Sequence, residues 1–160
     1  MILPKGLSIR NLYFSYGSKS VLSNLNLDVC PGELLGIVGA NGTGKTTLLN
    51  IGSGILQPLS GDVFVQVTLV LHFRTKDRAK IVAMVPQNIV APIGFSAKEI
   101  VIMGRNPHLK LLQWETAADH AICNQIMTNT NTMVFADQPI ATLSGGERQR
   151  VATVSYTHLT

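Results

Sequence analysis

The sequence predicts an α/β fold: an α/β core that follows an N-terminal antiparallel β subdomain and carries a helical subdomain. Three observations predict it. Alternating strand-like segments occupy the first thirty residues. A short apolar run then leads into a Gly-rich loop and a helix, and from residue 95 onward the periodicity turns helical.

LSIRNLYFSYG, residues 7–17, is rich in aromatic and branched residues and ends in a turn signal. VLSNLNLDV, residues 21–29, places Leu22, Leu25, Leu27 and Val29 in near alternation before the Pro31-Gly32 break. LLGIV, residues 34–38, is a continuous apolar run and predicts a strand buried on both faces. TTLLNIGSGIL predicts a short helix ending near Gly54, residues 61–73 a strand pair, and IVAMVPQ, residues 81–87, one more buried strand. FSAKEIVIMGR and ETAADHAICNQIM predict helices on either side of a Pro-containing loop. NTNT, residues 129–132, is a polar break, and a last helix is expected from Gly145, because Ser144 and Glu147 have capping-box spacing.

Between the apolar run and the first helix lies GANGTGKTT, residues 39–47. Gly39, Gly44, Lys45 and Thr46 satisfy G-x-x-x-x-G-K-[ST]. A triphosphate needs many donors in a small space, and successive backbone amides supply them where the chain can turn sharply. Glycine allows those turns, and the helix that follows aims its positive end at the same anion. Lys45 adds a mobile charge for the β- and γ-phosphates, and the Thr46 hydroxyl suits Mg²⁺. Chance would produce four such positions in about one chain of this length in 200, so the loop predicts nucleotide binding.

Composition sets the remaining bounds. The 160 residues suffice for one domain, but only 14% are charged against 46% hydrophobic, a core-rich balance with thin solvent cover. That balance leads us to expect that part of the polypeptide is missing. The formal net charge of +4 would permit nucleic-acid contact, yet the densest basic run, RTKDRAK at residues 74–80, lacks aromatic interleaving and reads as a solvated helix face or loop. Cys30 and Cys123 are far apart and without zinc spacing, which predicts free thiols. The N-terminus shows no leader pattern and VFVQVTLVLHF is too short to span a bilayer, so a cytoplasmic protein is expected.

Four landmarks occur in order: SYG with Tyr16, the phosphate loop, VPQ with Gln87, and LSGGERQR from Leu143. Across residues 7–151 the sequence thereby resembles the ATP-binding cassette (ABC) ATPases, for which LSGG-x-x-QR is the most diagnostic stretch. The resemblance implies ATP and Mg²⁺ as ligands. Tyr16 would stack on the adenine. Gly39, Asn41, Gly42, Gly44, Lys45, Thr46 and Thr47 would hold the phosphates. Thr46 and Gln87 would reach the metal, with Gln87 also the catalytic-site residue that contacts the attacking water. Ser144, Gly145 and Gly146 would close over the γ-phosphate held by a second ATPase subunit, a homodimer being expected. FSAKEIVIMGRNPHL, residues 95–109, is similar to importers of iron–siderophore, haem and cobalamin complexes. That implies an integral membrane permease as partner, a periplasmic or surface binding protein indirectly, no nucleic acid, and a place at the inner face of the cell membrane.

MVFADQP, residues 133–139, imitates an apolar strand ending in a catalytic acid, but in the family that strand follows LSGG, so Asp137 is not expected to be catalytic. No apolar strand ending Asp-Glu follows Val151. We therefore expect residues 7–154 to be a partial ABC ATPase domain, incomplete at the C-terminus, with a helical subdomain at about 95–142. Residues 155–160 are expected to be a non-native tail, and the chain alone to be nearly inactive as an ATPase. Two other functions stay open on sequence: a soluble ABC ATPase of repair or translation, and a non-catalytic ATP-binding fragment.

Overall fold

The computed structural model describes residues 6–87, 94–110 and 112–157. The first five residues and the last three of the expected tail lie outside them. The chain divides into two compact units, residues 1–78 and 79–160.

The first unit is built on a four-stranded antiparallel sheet of order β2-β1-β3-β4. β1 is Leu7–Tyr16, β2 Lys19–Val29, β3 Ser60–Val65 and β4 Thr68–Leu69. Ile9, Leu12, Phe14, Leu22, Val63 and Val65 are its buried apolar side chains. The β1–β2 ladder slips at Leu12 and Phe14, and Asn11 and Asn24 take positive φ there. Asparagine tolerates that region, and the Asn26 side chain accepts the Asn11 amide at 2.9 Å. The β3–β4 hairpin turns on Gln66 and Val67, both at positive φ as a two-residue type I′ turn requires. The expected strand pair over 61–73 is thus shorter than predicted, because Val70–His72 winds into a 3₁₀ turn instead of extending β4.

Two expected strands are absent. Residues 34–38 form no regular structure, with Leu34 98% and Val38 93% exposed. Residues 81–87 are likewise irregular and only partly covered. The reason is common to both. A parallel strand buried on two faces takes every backbone hydrogen bond from neighbours, and among the described residues no strand pairs with either run. Apolar composition alone does not make a strand.

The second unit is helical: α3 Ala97–Met103, α4 Ala117–Asn129 and α5 Gly145–Thr157. In the first unit α1 spans Lys45–Gly52, and α2 is a single exposed turn, Thr75–Arg78, within the basic run. The helical core gathers Val101, Cys123, Met127, Ile140, Val151 and Val154, all nearly or fully buried. α5 passes through the position of the expected tail boundary, with Val154 and Ser155 buried. The cysteines are free, Cys30 exposed and Cys123 buried, and burial pushes the Cys123 thiol pKa up.

Three helices start on reciprocal caps. Ser144 and Glu147 cap α5 as expected, the Glu147 carboxylate accepting the Ser144 amide at 2.7 Å. Ser96 with Glu99 on α3 and Thr116 with Asp119 on α4 do the same. Asp119 also takes Arg105 Nε at 2.9 Å, tying the end of α3 to the start of α4. The Thr116 hydroxyl, the Thr116 amide and then Arg105 hold the Asp119 pKa down at about 2.

Candidate functional site

The phosphate loop occupies residues 39–44 and ends on Gly44, the N-cap of α1. Gly42 and Gly44 both lie at positive φ, 81° and 92°, where a side chain would strain the turn. The first bond of the helix ladder is from the Leu48 amide to the Gly44 carbonyl at 2.8 Å. The amides of Lys45, Thr46 and Thr47 therefore have no acceptor within the helix and carry its positive end. The Thr43 hydroxyl donates to the Ala40 carbonyl at 3.0 Å and braces the loop.

Lys45 folds back over the loop. Its ammonium donates to the Gly39 and Ala40 carbonyls at 2.8 and 2.7 Å, which concentrates positive charge beside the first-turn amides. Thr46 is exposed at the helix start, while the Thr47 side chain is buried, so Thr47 offers its amide rather than its hydroxyl. Asn41 is exposed on the loop. These features fit a Mg²⁺-bound polyphosphate: unpaired amides, one mobile cation, one accessible hydroxyl, and no acidic side chain in the loop.

Tyr16 ends β1 in the same unit and is 55% exposed. Its ring stands perpendicular to Phe14, centroids 4.9 Å apart. That edge contact orients the tyrosine while leaving more than half of it open, as a base-stacking ring needs.

The second unit carries the other expected residues. Gln87 is exposed at a bend. Ser144 spends its amide and hydroxyl on the α5 cap, and Gly145 and Gly146 follow as the first residues of the helix. Neither glycine has positive φ, and a Cβ on either would meet nothing within 4 Å. Among the described residues nothing demands glycine at these positions. Asp137, exposed just past the 3₁₀ turn Met133–Phe135, is not at the end of a strand.

Two links within the second unit have no signal in the sequence. Gln149, in the QR of LSGGERQR, donates from Nε2 to the Pro86 carbonyl at 3.4 Å, joining the signature helix to the residue before Gln87. Arg150 lies 5.6 Å from the Phe135 ring centroid, a cation–π contact that fixes the outer face of α5. Both depend on neighbours far away in sequence, and no local pattern announces them.

The chain is similar to known proteins in sequence and fold. The model of the family described as ABC transporter matches residues 22–157. The achromobactin transport ATP-binding protein CbrD of Dickeya dadantii is 36% identical over 142 residues, covering 89% of this chain and 53% of that protein. The hemin import ATP-binding protein HmuV of Myxococcus xanthus is 37% identical over 145 residues, covering 91% and 54%. A solved structure described as an inward-facing conformation of an ABC transporter superposes with a TM-score of 0.79 at 29% identity, covering 96% of this chain and 56% of that one. The chain spans about half the length of these relatives. Among the described residues no helix is long and apolar enough to cross a membrane. With the phosphate loop and the LSGG helix placed as above and the family match running through both, the chain belongs to the ABC transporter family.

Proposed function

We propose that this chain is the ATP-binding part of an importer's energy subunit, taking Mg-ATP on the phosphate loop and working as one of a pair. The observation that carries this reading is the loop itself: two left-handed glycines, three first-turn amides without helical acceptors, and the Lys45 ammonium beside them. Tyr16 stacks on the adenine. Gly39, Asn41, Gly42, Gly44, Lys45 and the amides of Thr46 and Thr47 take the phosphates. Thr46 would hold Mg²⁺, with Gln87 as the second ligand that the family resemblance implies, and the ion would offset charge on the phosphates.

Open space around Gly145 and Gly146 supports the paired state, since bare backbone at a helix start is what a close anionic neighbour requires. In this reading Ser144, Gly145 and Gly146 close over the γ-phosphate on a second copy. Gln87 orients the attacking water. An integral membrane permease, fed by a binding protein, receives the motion, and the chain sits peripherally at the inner face of the membrane. Relatives named for achromobactin and hemin favour an iron complex as cargo, and cobalamin belongs to the same range through the resemblance of residues 95–109. No nucleic-acid partner is part of this reading.

Calorimetric titration with Mg-ATP tests the reading. Saturable binding that Lys45→Ala weakens by about 100-fold is expected. Binding that survives Lys45→Ala unchanged, or none at millimolar nucleotide, would overturn it.

A further inference from the structure

The two left-handed glycines of the loop differ in their surroundings. A Cβ on Gly42 would meet nothing within 4 Å, so only its backbone angles call for glycine. A Cβ on Gly44 would lie 2.7 Å from Val21 Cγ1, 3.2 Å from Leu22 Cδ2 and 3.4 Å from the Val21 carbonyl oxygen. Gly44 is therefore pressed against a wall of β2, at the residue where the loop becomes α1.

That wall continues to the aromatic end of the site. Leu22 is the cross-strand partner of Phe14, and both are buried. Phe14 in turn holds the Tyr16 ring edge-on. A line of contacts thus runs from Tyr16 through Phe14 and Leu22 to Gly44, with Val21 making the nearest approach. A nucleotide has a limited reach from base to β-phosphate, so a site that grips both ends must hold its two grips within that reach. An error of 1 Å in such placement costs about 100-fold in the extreme.

We propose that Val21 is a positioning residue: its branched side chain seats Gly44 and so fixes the phosphate loop against the strand pair that carries Tyr16. The functional half of this statement rests on the nucleotide reading above. The structural half does not. β-Branching matters because two heavy atoms on Cβ restrict χ1 in a strand, which makes Val21 a stiffer stop than an unbranched side chain.

Hydrogen exchange of the nucleotide-free 160-residue chain, followed over peptides covering residues 48–52, tests it with Val21→Ala, Val21→Thr and Leu27→Ala. These α1 amides, starting with Leu48 on the Gly44 carbonyl, are hydrogen-bonded without nucleotide and report how firmly the end of the loop is seated. Threonine keeps the branched shape. Leu27→Ala removes apolar surface further along the same strand. We expect Val21→Ala to speed exchange there about tenfold, Val21→Thr to stay within about twofold of wild type, and Leu27→Ala to change it less than Val21→Ala does. Exchange in Val21→Ala within about twofold of wild type, or an equal effect from Leu27→Ala, would overturn the proposal. Mg-ATP titration of the same variants adds the functional readout, an affinity loss of about tenfold for Val21→Ala restored by Val21→Thr. Wild-type chain that fails to bind Mg-ATP would sink the nucleotide reading, and the α1 exchange would still decide whether Val21 seats Gly44.

Discussion

Residues 34–38 and residues 97–103 are both mainly apolar, and their fates are opposite. LLGIV lies exposed, Leu34 and Val38 almost completely so, while α3 buries Ala97 and Val101 without remainder. The difference is where each finds its hydrogen bonds. A helix satisfies its own backbone, and the Ser96–Glu99 box closes its open end, so α3 needs neighbours only for its side chains. A strand satisfies nothing alone. Residues 34–38 lead straight into the phosphate loop, yet that loop is formed, because its geometry comes from glycines, the Thr43 and Lys45 bonds, and the β2 wall behind Gly44.

The contrast is sharpest under charge insertion. Val101→Lys places an unpaired ammonium in the helical core and should cost more than about 4 kcal/mol, leaving the second unit without a cooperative melt. Leu34→Lys should move stability by no more than about 0.5 kcal/mol, since the side chain is already in water. Thermal denaturation of the two variants checks both, and equal losses would erase the comparison. Met127→Ala, at a fully buried core position, falls between, at about 2–5 kcal/mol.

Acid acts on the helical region through the Arg105–Asp119–Thr116 cluster. The folded-state pKa of Asp119, about 2, lies below its ordinary value of 3.8. The cluster's contribution is therefore fully present above pH 4 or so and fades as pH falls through about 2. Asp119→Asn should flatten that acid limb in a pH series of melts, and an unchanged profile would show that the carboxylate does not matter there. In the opposite direction, Val67→Gly should stabilise the β3–β4 hairpin by about 0.5–1 kcal/mol, because a β-branched residue at φ 78° is strained and glycine is not.

What could be read from the sequence follows the same division. The phosphate loop, α1, the later helices and the Ser144–Glu147 cap were legible because each is a local pattern. Ser96-x-x-Glu99 and Thr116-x-x-Asp119 carried the same capping signal as Ser144 and could have been read as well. The strands expected at 34–38 and 81–87 were not secure, because burial of a strand is a property of its neighbours. Gln149 to Pro86, Arg105 to Asp119 and Val21 to Gly44 were invisible for that reason too: each joins residues that no local window holds together. Thr132, within the polar break, is fully buried with its hydroxyl on the Met127 carbonyl, a role composition would never suggest.

Hydrogen exchange with and without Mg-ATP tests the account most directly. The amides of Val101, Met127 and Val151 should be protected at least about 1,000-fold, and those of residues 34–38 hardly at all. The amides of residues 40–47 should gain protection only when Mg-ATP is added. Strong protection at residues 34–38 in the nucleotide-free chain, or a loop indifferent to Mg-ATP, would contradict it.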